Sequence, residues 1–171
     1  MSVTLRYDAK FHADEVPALA LDLAPTNPTI PHRVQYTTNP GLSGLLDATT
    51  TVAITQAYSD RRALTAGAYT LDLRSLVGPN GVALDLNGLK VKGIIIIANA
   101  SNSAGIVVKD GASNPYLIFG STTGENTVWP GFPLVQIFGN NLAAVSATVK
   151  TIDFSSSDTD AEFEIILVAG A

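Results

Sequence analysis

The sequence predicts an all-β protein, and within that class an antiparallel β-sandwich of the eight-stranded jelly-roll type. After residue 40, about eight short segments rich in β-branched and aromatic residues follow one another, and Gly, Asn, Asp and Pro separate them. Helical periodicity is weak everywhere, and its best candidates are one or two turns at 42–48 and 140–145. Many short strands without intervening helices form two sheets that cover each other's apolar faces.

The first forty residues differ in composition from the rest of the chain. They contain five of the nine prolines, which are Pro17, Pro25, Pro28, Pro31 and Pro40. Proline removes a backbone donor and biases the preceding residue towards extended geometry, so this segment should pair poorly in a sheet. We therefore expect an extended, Pro-rich N-terminal arm at 1–40 and the β-sandwich domain at 41–171. Such an arm must lie against the body of the domain or against a neighbouring subunit.

Alternating side chains predict several strands in detail. Residues 50–58 and 68–73 each place different side chains on two opposite sides, which is the pattern of a half-buried strand. The segment 89–98 begins with Lys90 and Lys92 and ends in isoleucines. One end should therefore meet water, and the other should be covered on both faces in the middle of a sheet. The remaining predicted strands are 106–108, 116–119, 134–138, 147–154 and 162–169. A polar loop separates the last two, which should form a terminal hairpin.

Composition and charge exclude several classes of function. The chain has 171 residues, of which 46% are hydrophobic, and no cysteine, so it can build one core without disulfides and has no thiolate chemistry. Its net charge is −5 and its Lys and Arg residues are scattered, so we expect no nucleic-acid partner. The longest aliphatic run, 94–97, is far too short to cross a bilayer, so we expect no membrane partner. Charged residues recur throughout 1–23, so we expect no secretory signal there.

The candidates for catalysis or metal binding are few. His12 and His32 are the two histidines. On a strand, His12 and Asp14 would point the same way, with Asp8 near them, which leaves a metal or acid–base pair conceivable. A metal site needs three or four converging ligands, so a solvated polar face is the favoured interpretation. His32 is interpreted as a surface residue.

Three acids near the end of the chain alternate as they do at the start of a calcium loop. They are Asp158, Asp160 and Glu162. Phe163 stands where such a loop requires glycine, and no distal glutamate follows, so an acidic hairpin tip is favoured over calcium. The chain contains no phosphate-binding loop and no nucleophile elbow, and no pair of carboxylates stands out. We therefore expect no enzymatic activity and no cofactor.

Three aromatic residues are the candidates for an interaction site. Tyr116, Trp129 and Phe132 lie in or beside predicted loops, where they could stack on a sugar or anchor a partner. The prolines on either side would hold Trp129 rigid at little entropic cost. The alternative, which the sequence leaves equally open, is that Trp129 caps one end of the sandwich core.

From residue 58 onward, the order of these features resembles a group of small virion proteins of tailed bacteriophages, the jelly-roll decoration or cement proteins. The segments that carry the resemblance are 59–64 leading into 69–73, 90–93 running into the isoleucines, 99–102, 110–116, and 162–169 followed by the final Gly-Ala. They cover about the last two thirds of the chain, and they are turn and strand patterns, with no catalytic motif among them. The first forty residues are outside the resemblance.

The resemblance implies a structural role in a virus particle. Proteins of this kind form homotrimers and bind the lattice of the major capsid protein, where they stabilise the head. We therefore expect a homotrimer that is made in the host cytoplasm and lies on the outer surface of the virion. The alternative is a carbohydrate-binding or host-recognition module of a tail fibre or spike.

Overall fold

The computed structural model of the chain describes residues 4–8, 43–47, 53–77, 81, 83–121 and 123–171, in which all regular structure is β. The chain divides into two compact units, one formed by 5–45 and the other by 1–4 with 46–171. Strands β1 (Thr4–Asp8) and β2 (Ser43–Asp47) pair with each other as a two-stranded sheet. The helical turn predicted at 42–48 is therefore wrong, since most of that segment is strand β2. The arm predicted at 1–40 lies outside the described residues except for β1, and its boundary stays a prediction.

The larger unit carries ten strands. Their bounds are β3 Gln56–Ala63, β4 Ala68–Asp72, β5 Leu76–Val77, β6 Ala83–Leu84, β7 Lys90–Ala98, β8 Ile106–Asp110, β9 Glu125–Val128, β10 Pro133–Ile137, β11 Thr151–Ser155 and β12 Glu162–Gly170. Strands β5 and β6 pair only with each other. The other eight form two four-stranded sheets in which every pair is antiparallel.

The order of these eight strands confirms the predicted jelly roll. Sheet A has the order β10-β7-β12-β3, and sheet B has the order β4-β11-β8-β9. Counted along the chain, these are strands 6-3-8-1 and 2-7-4-5 of the eight. The first and last strands are thus neighbours in one sheet, and the second and seventh are neighbours in the other. This is the double Greek-key order of a jelly roll.

The core lies between the two sheets, where their inner faces meet. Phe154 of β11 in sheet B stacks on Phe163 of β12 in sheet A, with ring centroids 4.5 Å apart and planes inclined by 17°. Tyr69 of β4 lies 6.0 Å from both rings. Leu71, which follows on the same side of β4, is also buried, as the alternation in 68–73 predicted.

The predicted terminal hairpin is wrong, because its two strands belong to different sheets. Strand β11 pairs with β4 and β8, whereas β12 pairs with β3 and β7. The polar loop at 156–161 is long enough to cross the roughly 10 Å between two packed sheets. Each strand then lies inside a sheet, and their apolar sides face each other as Phe154 and Phe163 do.

Three other segments differ from the predicted elements. Residues 116–119 form a loop, because the carboxylate of Asp110 accepts the backbone N–H groups of Ile118 and Phe119 that a strand would have used. Strand β9 was not predicted, since its sequence Glu-Asn-Thr-Val is mostly polar. The segment 140–145 contains no helix, and Ala144 forms an isolated bridge with the start of β7.

Strand β7 is interior to its sheet, as predicted, but the burial along it is not the predicted one. Lys92 is completely buried, at 0% exposure, and its Nζ donates to Asn140 Oδ1 and to the backbone oxygen of Ala171. Burial, with the nearby Lys90, lowers the pKa of Lys92. Conversely, the isoleucines are not covered on both faces, because Ile95 and Ile97 remain half-buried on the outward side of sheet A.

Candidate interaction surface

Part of the outward side of sheet A, on β10, β7 and the middle of β12, is apolar, whereas Glu164 of β12 and Arg61 of β3 on the same side are charged. Its strand register places Val135 of β10 opposite Ile95 of β7, and Ile95 opposite Ile166 of β12. Ile97, two residues after Ile95, and Ile137, two residues after Val135, add two more side chains to the same side. Val135 is 53% exposed, and Ile137 and Ile166 are exposed as well. We call these five side chains the apolar face.

A glycine in β7 leaves space above the backbone beside the side chains of the apolar face. Gly93 of β7 lies between Ile137 and Val168 in the register. A Cβ atom placed on Gly93 would lie 3.1 Å from Ile137 Cδ1 and 3.4 Å from Val168 Cγ2. Both side chains therefore border the space above the glycine, one from β10 and the other from β12.

The apolar face ends at an edge strand whose outer side is unpaired among the described residues. Phe138 N–H donates to Lys92 O at 2.8 Å, so in the alternating pattern the N–H and C=O groups of Val135 and Ile137 point away from β7. Strand β10 contains no charged residue, and its first residue, Pro133, has no N–H. Edge strands usually carry charges that prevent association. The other edge of sheet A does so, since β3 contains an aspartate and two arginines.

The outward side of sheet B is polar. One row across it consists of Thr70, Asp153, Lys109 and Glu125, from four neighbouring strands. Thr70 Oγ1 donates to Asp153 Oδ1 at 2.6 Å, and Ala112 N–H donates to Asp153 Oδ2 at 2.8 Å. This row, the polar face, is the side that an antiparallel sheet normally turns to water.

Tyr116, predicted as an interaction residue at the surface, lies in the core and is 1% exposed. Its hydroxyl accepts a hydrogen bond from Val91 N–H at 2.9 Å and donates one to Ala143 O at 2.8 Å. Burial raises the pKa of Tyr116 to about 12, against the opposing effect of the Val91 N–H. At 1% exposure Tyr116 is a core residue, so the expected surface position is corrected.

Trp129 and Phe132 lie in the connection from β9 in sheet B to β10 in sheet A. They are 63% and 66% exposed. Phe132 N–H donates to Trp129 O, and Gly131 N–H donates to Ala98 O, each at 3.0 Å, so the turn is anchored to the end of β7. We call 129–132 the aromatic turn. Its exposure argues against the alternative in which Trp129 caps the core, and an interaction role for both residues stays a prediction.

The aromatic turn borders a shallow groove on the sheet B side. The groove has a volume of about 420 Å³, and Trp129, Thr127 and the serines at 155–157 line part of it. An exposed indole beside several hydroxyl groups is a chemically plausible combination for contact with a sugar, since the ring supplies an apolar surface and the hydroxyls supply hydrogen bonds.

Two of the three alternating acids, Asp158 and Glu162, stabilise loops. Asp158 accepts Ser103 N–H at 2.7 Å, and this bond lowers its pKa. Glu162 accepts hydrogen bonds from Arg61 and from Asn99, and these two side chains lower its pKa. Nowhere among the described residues do three or more His, Cys, Asp or Glu side chains form a group that could hold a metal. His12, Asp14 and His32 lie outside the described residues, and Asp8 ends β1.

Asp110, a buried carboxylate that the sequence analysis did not identify, holds a loop at the end of the sandwich opposite the aromatic turn. Asp110 Oδ1 accepts Ile118 N–H at 2.8 Å, and Oδ2 is buried with no hydrogen-bond partner. Burial raises the pKa of Asp110. The position of Asp110 immediately before a run of Gly, Ser, Asn and Pro was a signal for such a cap, because short polar side chains often bond to nearby turn backbone.

The loop that Asp110 holds forms one wall of a cleft at this end of the sandwich. The cleft has a volume of about 410 Å³. Its lining includes Pro115, Leu117, Leu142, Ala143, Thr148 and Val149. We call it the end cleft. Its two walls are 115–120 and 141–149, which follow β8 and β10 respectively.

Comparisons with known proteins do not identify a family for this chain, so its fold is assigned from the strand order. No protein-family model matches the chain, and no curated protein matches it significantly. Among solved structures, the chain is similar to a chain from the crystal structure of tomato aspermy virus, with 13% identity and a TM-score of 0.42. The match covers 69% of this chain and 78% of that one. A likeness below a TM-score of 0.5 carries no argument about function. In the part of the chain that the structure describes, no helix is long and apolar enough to span a membrane.

Proposed function

We propose that this chain is a structural, non-catalytic protein of a virus particle, a decoration or cement protein on the head of a tailed bacteriophage. In this proposal it forms homotrimers and binds the lattice of the major capsid protein from outside. The apolar face of sheet A is the observation that carries the proposal. The resemblance of 58–171 to phage decoration proteins supports the choice of partner.

The apolar face has the chemistry of a contact surface. Its five aliphatic side chains come from three neighbouring strands and include three exposed ones. Contiguous exposed apolar surface of this kind is typical of protein–protein contact sites, whereas single exposed aliphatic residues are ordinary. The side chains also lie on a rigid sheet, so little conformational entropy is lost when a partner covers them.

The unpaired outer side of β10 adds directional hydrogen bonding to the same surface. The backbone groups of Val135 and Ile137 can pair with an extended segment of a neighbouring protein, as in recognition by strand addition. A capsid lattice repeats the same segment at each position, so one such contact would be made many times. The jelly-roll fold is compatible with this role, although lectins and enzymes share it.

A binding experiment with heads tests the proposal. Purified protein is added to phage heads that lack it, and the bound amount is measured by co-sedimentation. We expect Val135→Lys and Ile166→Lys to weaken binding about 30-fold or more, because each places a charge inside a buried contact. Ala68→Lys is the matched control, since Ala68 is an exposed strand residue of sheet B.

The control should bind as the unsubstituted protein does, and all three variants should unfold at similar temperatures. Equal binding by the sheet A variants and the control would contradict the proposal. Failure of the unsubstituted protein to bind any head lattice would contradict it as well.

A second candidate function is carbohydrate or host recognition, and the groove beside Trp129 favours it. In this case Trp129→Ala should abolish glycan binding and leave the fold intact, because the exposed indole supplies the stacking surface. A glycan array probed with the labelled protein measures this directly. Absence of binding to every glycan would exclude this alternative.

A further inference from the structure

We propose that the aromatic turn of one copy occupies the end cleft of the next copy, so that the chains associate head to tail. This inference deepens the proposed function, on which it rests for the biological role of self-association. The two surfaces that join the copies, the aromatic turn and the end cleft, are distinct from the apolar face.

The aromatic turn supplies the projecting partner. More than 60% of both Trp129 and Phe132 is exposed, although large aromatic side chains contribute most when they are covered. The hydrogen bonds within the turn and to Ala98 fix the backbone that carries them. A rigid, exposed aromatic pair is the usual composition of an interface hot spot.

The end cleft supplies a preformed receptor. Asp110 holds the wall at 115–120 through its hydrogen bond to Ile118 N–H. The second wall is fixed where Val145 N–H donates to Leu89 O and Lys150 N–H donates to Asn114 O, both at 2.8 Å. A volume of about 410 Å³ lies within the range of pockets that hold drug-sized ligands, so it has room for an aromatic side chain.

The aromatic turn cannot reach the end cleft of its own chain. Val128, which precedes the turn, pairs with Ile106 at the start of β8, whereas Asp110 at the end of β8 leads into the cleft. Likewise, β10 separates Phe132 from the wall at 141–149. A strand of this length spans roughly 15 Å. The two surfaces therefore lie at opposite ends of one rigid sandwich, and the occupant must come from another copy.

The charges at the two ends are complementary. Asp158 and Asp160 lie in the loop that follows the serines of the groove beside Trp129, and neither is in an ion pair with a described residue. At the other end, Lys90 Nζ donates to Asn140 O beside the cleft wall, and Lys90 forms no ion pair within the described part of the chain either. In a head-to-tail contact the aspartates of one copy approach the lysine of the next, which favours this orientation over head-to-head contact.

A contact between two different surfaces of one chain has a definite consequence for assembly. Each copy offers one turn and one cleft, so the contacts either close into a ring or continue as a filament. The homotrimer of the proposed function is then a closed ring of three identical contacts. A two-fold dimer, in which both copies use the same surface, is excluded by this geometry.

Mixing two deficient variants tests the proposal. The turn variant carries Trp129→Ala and Phe132→Ala, and the cleft variant carries Leu117→Glu. Size-exclusion chromatography with light scattering should show an oligomer for the unsubstituted chain and a monomer for each variant alone. A 1:1 mixture of the variants should give a heterodimer, because the intact turn of the cleft variant fits the intact cleft of the turn variant.

Several outcomes would overturn the inference. These are a monomeric unsubstituted chain, variants that remain oligomeric, and folded variants that do not combine when mixed. Circular dichroism establishes that each variant is folded. Thr148→Arg serves as a second cleft variant, because Thr148 is exposed at the rim and its replacement leaves the core intact.

One further variant separates this inference from the proposed function. Ile166→Lys lies on the apolar face, so it should retain the oligomer and lose binding to heads. If Ile166→Lys binds heads normally while the mixing experiment succeeds, only the proposed function fails. If the mixing experiment fails while Ile166→Lys still abolishes head binding, only the head-to-tail contact fails.

Discussion

The two outward sides of the sandwich have the same architecture and opposite chemistry. On sheet B, a row of four strands presents Thr70, Asp153, Lys109 and Glu125. On sheet A, the corresponding row has Val135, Ile95 and Ile166 on three strands and Ser59 on the fourth. Both sheets bury their inner sides in one core, so the core does not require the aliphatic residues on the outside of sheet A. The difference is that sheet A exposes aliphatic side chains on β10, β7 and β12, whereas the row across sheet B is polar.

The packing around a glycine also differs between the loop after β8 and strand β7 of sheet A. On sheet B, the loop after β8 packs tightly against β11, and Asp153 and Asp110 accept hydrogen bonds from its Ala112 and Ile118 N–H groups. On sheet A, the atom nearest to a Cβ placed on Gly93 is Ile137 Cδ1, at 3.1 Å, followed by Gln136 O and Val168 Cγ2 at 3.4 Å. The space beside Gly111 is thus closed partly by backbone, whereas the nearest neighbour of Gly93 is a side-chain end that can rotate away.

The largest expected effect compares two glycines, one in the loop after β8 of sheet B and one in β7 of sheet A. In Gly111→Ala, the new Cβ would lie 2.7 Å from the Thr151 carbonyl oxygen, and backbone cannot move aside cheaply. We expect a loss of about 3 kcal/mol in the free energy of unfolding. In Gly93→Ala, the nearest atom is Ile137 Cδ1 at 3.1 Å, which can rotate away, so the loss should stay below about 1 kcal/mol. Chemical denaturation measures both, and equal losses would contradict the difference between the sheets.

The next effect concerns Tyr116, which links the two sheets. It follows β8 in sequence and bonds to β7 through Val91. Its folded pKa of about 12 lies above the ordinary value of 10.0, so the folded state holds the proton more tightly than the unfolded state does. The stabilisation is complete below pH 10 and is lost as the pH rises to about 12, by roughly 2 to 3 kcal/mol.

Alkaline denaturation monitored at several pH values checks this expectation. Tyr116→Phe is the control, because it lacks the titrating hydroxyl and should show a weaker decline between pH 10 and 12. A decline of the same size in both proteins would show that Tyr116 is not its cause.

The smallest effect is expected from two single substitutions, one that makes a polar residue of sheet B apolar and one that makes an apolar residue of sheet A polar. Thr70→Val removes the donor to Asp153 and should destabilise the monomer by about 1 kcal/mol. Val135→Thr should change the free energy of unfolding by less than about 0.5 kcal/mol, because Val135 is mostly exposed before and after unfolding. If Val135→Thr instead destabilised the monomer by more than Thr70→Val, the apolar face would be covered within a single chain and unavailable to a partner.

Much of the fold could be predicted because alternation is local. The pattern in 68–73 grouped Tyr69 with Leu71 on one side of the strand, and both pack in the core. The absence of long helical periodicity predicted two sheets, and the jelly-roll order confirmed it. The prediction of a strand at 116–119 was wrong because the carboxylate of Asp110 accepts the backbone N–H of Ile118, eight residues away.

The candidate site could be predicted only in part. Trp129 and Phe132 were identified from residue type and from the prolines around them, and the structure places both in the solvent. Tyr116 has the same kind of sequence context, yet its hydroxyl lies between Val91 and Ala143. These partners are 25 and 27 residues away in sequence, and no local pattern reveals them.

By itself, the sequence determined that this chain forms strands and, for a segment such as 68–73, which side chains share one side of the strand. Each of those properties depends on residues within a few positions of one another, because a strand repeats every two residues. Only the tertiary structure decided that β11 and β12 face each other across the core, that Lys92 is buried, and that the isoleucines of β7 remain partly bare. These outcomes depend on which distant strand lies beside or above a residue, and the long-range pairing that sets this is not encoded in any single segment.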